Sequence, residues 1–455
     1  MKMKLERLLS DAGILKESWS VSWPMAVIMF FIFLIGFSDV YVAGMFGKEV
    51  QAAYGLASQI YFILSIIVFA LTVGAVSILS RLYTSGEKEE FNRTLDSTLL
   101  LTFCCGLLAS GAGIVFSGPV IRALDVPDEL KGMAVSFLLI YSVGLLFNYA
   151  LIATNGILRA CKMIKRSLLT MLIVCLLNII LNFTLAFMTP LGYQGIAVAT
   201  VASSIVGVLI NMAFVRGLMD GFYKFSWAAA VKVFRIGWPA GLLQILWQLA
   251  ALVLYLVLSK LPSHNVEILA AFTNGLKVES AIFLPAFAFN LAAAVLTGNL
   301  LGAKKNQQAF HSGLVTAALG VGIVTALSVL GMIFARPIAL LLSNNEIVVN
   351  ECVRYIRISL IFEPVMAWGV ILGGCLNGAG DTRGVMKIVS LSIWLVRLPL
   401  SYLLGINCGF GAPAVWWSMN ISIIIQTVFL TRRFWQRKWM NAPEFAPPQF
   451  TAQNI

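Results

Sequence analysis

The chain reads as long apolar runs separated by short breaks rich in charge, glycine or proline. Twelve such runs fall at about 20–45, 51–80, 95–118, 132–157, 167–188, 194–215, 236–260, 267–301, 309–335, 352–376, 385–405 and 411–431. Stretches of about 20 residues with few or no charges are long enough to cross a bilayer as helices. The pattern predicts an all-α integral membrane protein with 12 transmembrane helices.

The pattern also repeats, at a shift of 218 residues. AAY at 52–54 faces AAF at 270–272, FSGPVIRAL from 116 faces FARPIALLL from 334, and NGILRACKMIK from 155 faces GGCLNGAGDTR from 373. With small slips, SWP at 22–24 faces GWP at 237–239, and NIILNF from 178 faces RLPLSY from 397. Six spans per half is an even number, so both halves enter the membrane in the same sense. That is a parallel repeat, two six-helix bundles about a pseudo-two-fold along the membrane normal, with a substrate path between them. The expected organisation is a leader at 1–19, an amino lobe at 20–215, a linker at 216–235, a carboxyl lobe at 236–431 and a tail at 432–455.

Composition sharpens this. Of 455 residues, 60% are hydrophobic and 11% charged, where a soluble domain is nearer one-quarter charged. A soluble enzyme, a secreted disulfide scaffold and a disordered tail are excluded. The net charge of +12, from 32 Lys and Arg against 20 Asp and Glu, becomes a question of orientation. One face receives only Lys48, Arg122, Lys131, Lys260, Arg336, Arg354 and Arg357. Lys277 and Arg397 lie inside spans, and all other basic residues fall on the opposite face. The asymmetry places both termini in the cytoplasm of a multi-pass protein of the cytoplasmic (inner) membrane, and nucleic acid is not needed to explain it. The opening MKMKLERLLSDAGILKES reads as a retained amphipathic leader rather than a cleaved signal.

Metal and redox chemistry have little to build on. Cys104, Cys105, Cys161, Cys175 and Cys375 fall in or beside apolar segments, and only Cys352 and Cys408 approach one face. There is no CxxC, His264 and His311 are the only histidines, and no GxxxxGK[ST] phosphate loop occurs. No cofactor is expected.

Ionisable groups inside spans usually mark function. Asp39, deep in span 1, sits roughly 24 Å from the cytoplasmic entry. Asn178 and Asn182 are four apart and share a helix face at a similar depth, and Thr200 of span 6 comes out level with them. A carboxylate with amide and hydroxyl oxygens suits a small hard cation such as Na⁺. The same aspartate could instead take up a proton. An internal polar network that only holds helices together is the alternative.

The second half holds Lys277 and Glu279 in span 8, Glu363 in span 10 and Arg397 in span 11. These four charges could neutralise one another or handle substrate or protons. Gln244, Trp247 and Gln248 in span 7 add a stripe that could line a cavity. Pro24, Pro239, Pro285, Pro364 and Pro399 permit bends, and Pro24 shares a helix with Asp39.

At LNGAGDTRGVMK (376–387) the sequence resembles the multidrug and toxic compound extrusion (MATE) family, whose pattern after its tenth helix is close to LRGxGDTRxPM. Here Asn377 replaces the Arg, and Gly384–Val385 stand where the family often has a small residue and Pro. The repeat copy at 158–166, LRACKMIKR, keeps Leu-Arg and lacks the Gly-Asp. The resemblance covers essentially the whole chain. It implies a V-shaped pair of bundles that exports amphipathic, often cationic compounds against entry of H⁺ or Na⁺, with Asp39, Asn178, Asn182 and Thr200 in the amino-lobe site and Asn155 as a further member. It also implies a bending first helix at Pro24. Span 7 lacks the acid that the NorM-like branch uses, so coupling through the amino lobe and a place nearer the DinF-like branch are expected. Some DinF-like relatives have Asp where this chain has Asn182, which bears on Na⁺ coordination. The expected partners are small amphipathic or cationic molecules and the lipid bilayer, with the chain a monomer. Two rival readings are a lipid-linked oligosaccharide flippase of the same superfamily and an intramembrane enzyme; the latter lacks any visible nucleophile–base or metal cluster.

Overall fold

The structure, a computed structural model, describes the backbone at residues 2–124, 126–219, 221 and 225–441, and side chains within that range from residue 13 to 440. The basic residues of the leader before residue 13, Lys224 in the joining stretch and the tail from 442 lie outside the side chains so described. Apolar runs of this length close their backbone hydrogen bonds internally, and the helix does so within a single segment. The chain accordingly folds as α1 (Lys2–Met45), α2 (Lys48–Ser85), α3 (Lys88–Ala123), α4 (Asp128–Ala160), α5 (Ile164–Phe187), α6 (Gln194–Arg216), α7 (Trp227–Ser259), α8 (Asn265–Gly302) and α9 (Asn306–Ile333). It continues as α10 (Ala335–Leu342), α11 (Glu346–Gly378), α12 (Thr382–Leu391), α13 (Leu398–Tyr402) and α14 (Gly411–Trp435). Among the described residues, 12 helical stretches are long and apolar enough to cross a membrane, and they coincide with the twelve apolar runs.

Three features depart from the simplest reading of the hydropathy. Helix α1 runs from the leader through Pro24 into the first span without a break. The eleventh span, Thr382–Asn407, is interrupted by π-helical turns at Ser392–Arg397 and Leu403–Asn407, on either side of the short helix that carries Pro399. Proline lacks the amide hydrogen that an α-helical ladder needs there, and a wider turn absorbs the misfit. The eight-residue α10 stands between the ninth and tenth spans.

Two compact units result, one of residues 27–241 and the other of residues 242–455 together with residues 1–26. Each therefore holds the opening turns of a long helix whose remainder lies in the other.

In the 27–241 unit, α4 packs against α2, α3 and α6, and α5 packs against α6. Tyr54, Phe137 and Tyr141 form its aromatic centre, Tyr54 meeting Phe137 edge-on at 5.9 Å. The start of α7 crosses α2 at backbone distance. A Cβ on Gly74 would lie 2.1 Å from the Val233 carbonyl oxygen, and one on Gly237 would lie 2.1 Å from that of Ala70. Only glycine permits such an approach.

In the other unit, α11 plays the part of α4, packing against α8, α9 and α14. Its aromatic centre is Phe272, Tyr355 and Trp416, with Phe272 meeting Tyr355 edge-on at 5.5 Å. Tyr54 and Phe137, shifted by the repeat length, become Phe272 and Tyr355. The two halves thus keep one packing motif with the hydroxyl moved from one partner to the other.

Candidate functional site

Asp39 projects from α1 into the core of its unit and is 3% exposed. Three donors hold its carboxylate. Asn182 Nδ2 donates to Oδ1 at 2.6 Å, while Thr200 Oγ1 and Tyr54 Oη donate to Oδ2 at 3.2 and 3.4 Å. The set closes on itself: Asn178 Nδ2 donates to Thr200 Oγ1 at 3.2 Å, and Asn182 Nδ2 also reaches Asn178 Oδ1 and Ser38 Oγ, each at 3.2 Å. Four helices, α1, α2, α5 and α6, meet at this carboxylate. The four-residue spacing of Asn178 and Asn182 presents both amides on one stripe of α5.

The electrostatics are lopsided. Among the described residues, no Lys, Arg or His pairs with Asp39, so its charge is met by neutral donors alone. Asn182 Oδ1 is buried and accepts no hydrogen bond. The site therefore offers a carboxylate and one unengaged amide oxygen to an incoming proton or small cation. Among the described residues, no three His, Cys, Asp or Glu side chains come together as a metal cluster.

Asn155 lies elsewhere. Its Oδ1 accepts from Ser167 Oγ at 2.7 Å, and its Nδ2 contacts Met171 Sδ at 3.3 Å. Ser167 is at the opening of α5, eleven residues before Asn178, or roughly 16 Å along the helix. The amide of Asn155 thus joins α4 to the start of α5, apart from the Asp39 set. Two members of that set were not anticipated: Ser38, adjacent in sequence to Asp39, and Tyr54, whose position on α2 carries no mark in an apolar run.

The charged residues of the second half sit in the other unit. Tyr355 Oη donates to Glu279 Oε2, and Glu363 lies near Glu279. Glu363 is buried and its Oε2 has no partner. Arg397 Nε donates to Ser422 Oγ at 2.9 Å, and its guanidinium stands 5.6 Å from the centre of the Trp247 ring. No ion pair joins any two of Lys277, Glu279, Glu363 and Arg397. Lys277 is exposed, two residues and so roughly 200° around α8 from Glu279. Direct pairing among these four charges is therefore not seen, and Glu279 instead accepts a hydrogen bond from Tyr355. Gln244 and Gln248 are half-buried and Trp247 is exposed on the same stripe of α7. Pro24 is buried, close to where α1 passes from one unit to the other after residue 26.

The aspartate of the GDTR motif, Asp381, has a structural partner. Arg433 of α14 grips Asp381 with both ends of its guanidinium, Nε to Oδ2 at 2.5 Å and Nη2 to Oδ1 at 2.7 Å. Gly384 makes room for it: a Cβ there would lie 2.1 Å from Arg433 Nε.

Compared with known proteins, the chain matches the MatE family model twice, over residues 24–184 and 239–403, once in each half. A transporter of Bacillus subtilis, YisQ, is 24% identical over 434 residues, covering 93% of this chain and 94% of that protein. The probable multidrug resistance protein NorM of Thermotoga maritima is 21% identical, with 89% of each chain covered. Among solved structures, a MOP superfamily transporter from Pyrococcus furiosus superposes with a TM-score of 0.87 at 19% identity, covering 94% of this chain and 97% of that one.

Proposed function

The chain belongs to the MatE family, whose members are membrane transporters rather than enzymes, and from that premise we propose that it is a secondary active exporter of small amphipathic or cationic molecules, driven by antiport with H⁺ or Na⁺ through alternating access. The efflux character comes from the NorM relatives, named as probable multidrug resistance proteins. The orientation comes from the basic asymmetry of the loops, which puts both termini on the cytoplasmic side of the inner membrane. The working form is a monomer of two lobes joined by the stretch around 216–235.

One observation carries the coupling. A buried carboxylate contributed by α1 is held by donors from three other helices and balanced by no cation of the protein's own. A charge so placed calls for a proton or a small cation. When Asp39 takes up a proton, one of its oxygens becomes a donor and needs an acceptor. Asn182 Oδ1 is the unengaged acceptor on the neighbouring amide. A rotation of that amide would exchange the bonds among α1 and α5, and a Na⁺ would draw on the same two oxygens together with Asn178 and Thr200. In either case the change alters how α1 packs on α5 and α6. Ion binding then drives export only because the outward- and inward-open states hold ion and substrate with different affinity. Pro24, lower on α1, is the bend. The stripe of Gln244, Trp247 and Gln248, with Lys277, Glu279, Glu363 and Arg397, supplies the second lobe's contribution to substrate handling. A place nearer the DinF-like branch is part of the same proposal and rests on coupling through the amino lobe.

The test is transport in proteoliposomes. Wild-type protein effluxes a fluorescent organic cation under an imposed pH gradient or an imposed Na⁺ gradient, each applied alone, and the effective gradient names the ion. Asp39→Asn lowers that efflux to the level of empty vesicles. Gradient-driven transport by D39N at the wild-type rate would overturn the assignment.

A further inference from the structure

We infer that the cleft between α10 and the first three turns of α11 is a binding site for a phospholipid with an anionic headgroup. Three of the seven basic residues that the loop count assigns to the basic-poor face converge here. Arg336 of α10 and Arg354 and Arg357 of α11, with Asn350, line a cleft of about 530 Å³. Arginine presents a planar fork suited to phosphate oxygens.

The charge is not spent within the protein. Arg354 pairs with Glu351 at 3.0 Å, and Glu351 Oε1 also accepts from Trp416 Nε1 at 2.9 Å. Arg336 and Arg357 have neither an ion pair nor a side-chain hydrogen bond among the described residues, and both are exposed. Arg357 lies eleven residues into a spanning helix, roughly 16 Å along it. A guanidinium near the membrane surface with no partner of the protein's own attracts an anionic group.

The surroundings select a lipid over a soluble phosphate. Helix α10 turns Ala335 and Ala339 inward, at 0% and 1% exposure, and leaves Leu341 86% exposed. Ile333 and Phe334, just before it, are 65% and 53% exposed. A short helix with basic and apolar residues side by side at its surface lies in a membrane interface. Acyl chains cover the exposed Ile, Phe and Leu side chains while the headgroup phosphate enters the arginine cleft.

The experiment is native mass spectrometry of the full-length protein released from detergent micelles after titration with phosphatidylglycerol, phosphatidylcholine or glycerol 3-phosphate. Wild-type protein retains one phosphatidylglycerol more than the R336Q/R357Q variant, whose apparent affinity for that lipid falls about 30-fold for the loss of two interfacial charges. R336K/R357K, which keeps the charge, recovers retention and shows that the fold survives substitution at both positions. K48Q/K260Q, which removes two exposed charges from the same face, behaves as wild type. The inference is overturned if R336Q/R357Q retains phosphatidylglycerol as wild type does, or if K48Q/K260Q loses it equally. It is also overturned if phosphatidylcholine is held as tightly, or if glycerol 3-phosphate displaces the lipid.

Discussion

Asn182 donates to the Asp39 carboxylate at 2.6 Å, bridging α5 and α1 across 143 residues of chain. The same amide nitrogen lies 3.2 Å from both Ser38 Oγ and Asn178 Oδ1. One side chain thus ties Ser38, Asp39 and Asn178 together.

Replacing it separates the Asp39 set from the other buried asparagine. Asn182→Ala leaves Asp39 Oδ1 without its donor inside the membrane, a loss of about 1–3 kcal/mol in stability, and ion-driven efflux falls with it. Asn155→Ala breaks the contacts to Ser167 and Met171 instead, so the protein is destabilised while its transport keeps its dependence on the ion gradient. Thermal unfolding and gradient-driven efflux measured on both variants check the distinction. Equal loss of ion dependence in the two would show that coupling is not confined to the Asp39 set.

The grip of Arg433 on Asp381 predicts a coupled pair of substitutions. With the Arg433 side chain 42% exposed and Asp381 16%, the pair is partly solvated, and Arg433→Gln costs about 1 kcal/mol. Gly384→Ala pushes a methyl group into the space of the guanidinium and releases the same grip. The double variant is therefore less destabilised than the sum of the two, by about 0.5–1 kcal/mol. Denaturation of all three in one detergent measures it, and strict additivity would mean that Gly384 does not act through Arg433.

The crossing of α2 with the start of α7 predicts a sharp contrast among glycines. Gly74→Ala and Gly237→Ala each drive a Cβ to 2.1 Å from a backbone carbonyl oxygen, and no side-chain rotation relieves that. Each lowers stability by about 1–3 kcal/mol as the two helices part. Gly55→Ala and Gly111→Ala, on α2 and α3 with nothing within 4 Å of the added atom, leave stability unchanged or raise it slightly by favouring the helix. The yield and unfolding temperature of the four variants provide the readout.

Much of this molecule is legible in its sequence because lipid imposes one rule on the backbone. A long run that cannot bond to water closes its own backbone bonds as a helix, so the twelve spans follow from hydropathy and the 218-residue repeat from matched segments in the two halves. Asp39, Asn178, Asn182 and Thr200 could be set at one depth by counting rise per residue, and they share one hydrogen-bond set in the structure. Depth does not fix direction around a helix, and that is where the reading ends. Tyr54 is one aromatic among many in an apolar run, and its hydroxyl finds Asp39 only through the packing of α2. Asn155 has the right chemistry, yet its level on α4 matches the opening of α5. Lys277 and Glu279 look like a pair in one dimension, whereas a helix puts them on different sides. The π-helical turns beside Arg397 depend on how the ladder around Pro399 relaxes, which composition does not record.

The trade of helix beginnings between the two units bears on synthesis. Residues 27–241 form a unit that is not complete until the opening turns of α7 have been made, and residues 1–26, synthesised well before them, belong with chain that begins at residue 242. Neither half could be released early as a finished body. A gene cut between α6 and α7 would yield two fragments, each missing the first turns of a helix that only the other fragment carries, so activity would return only when both are made together.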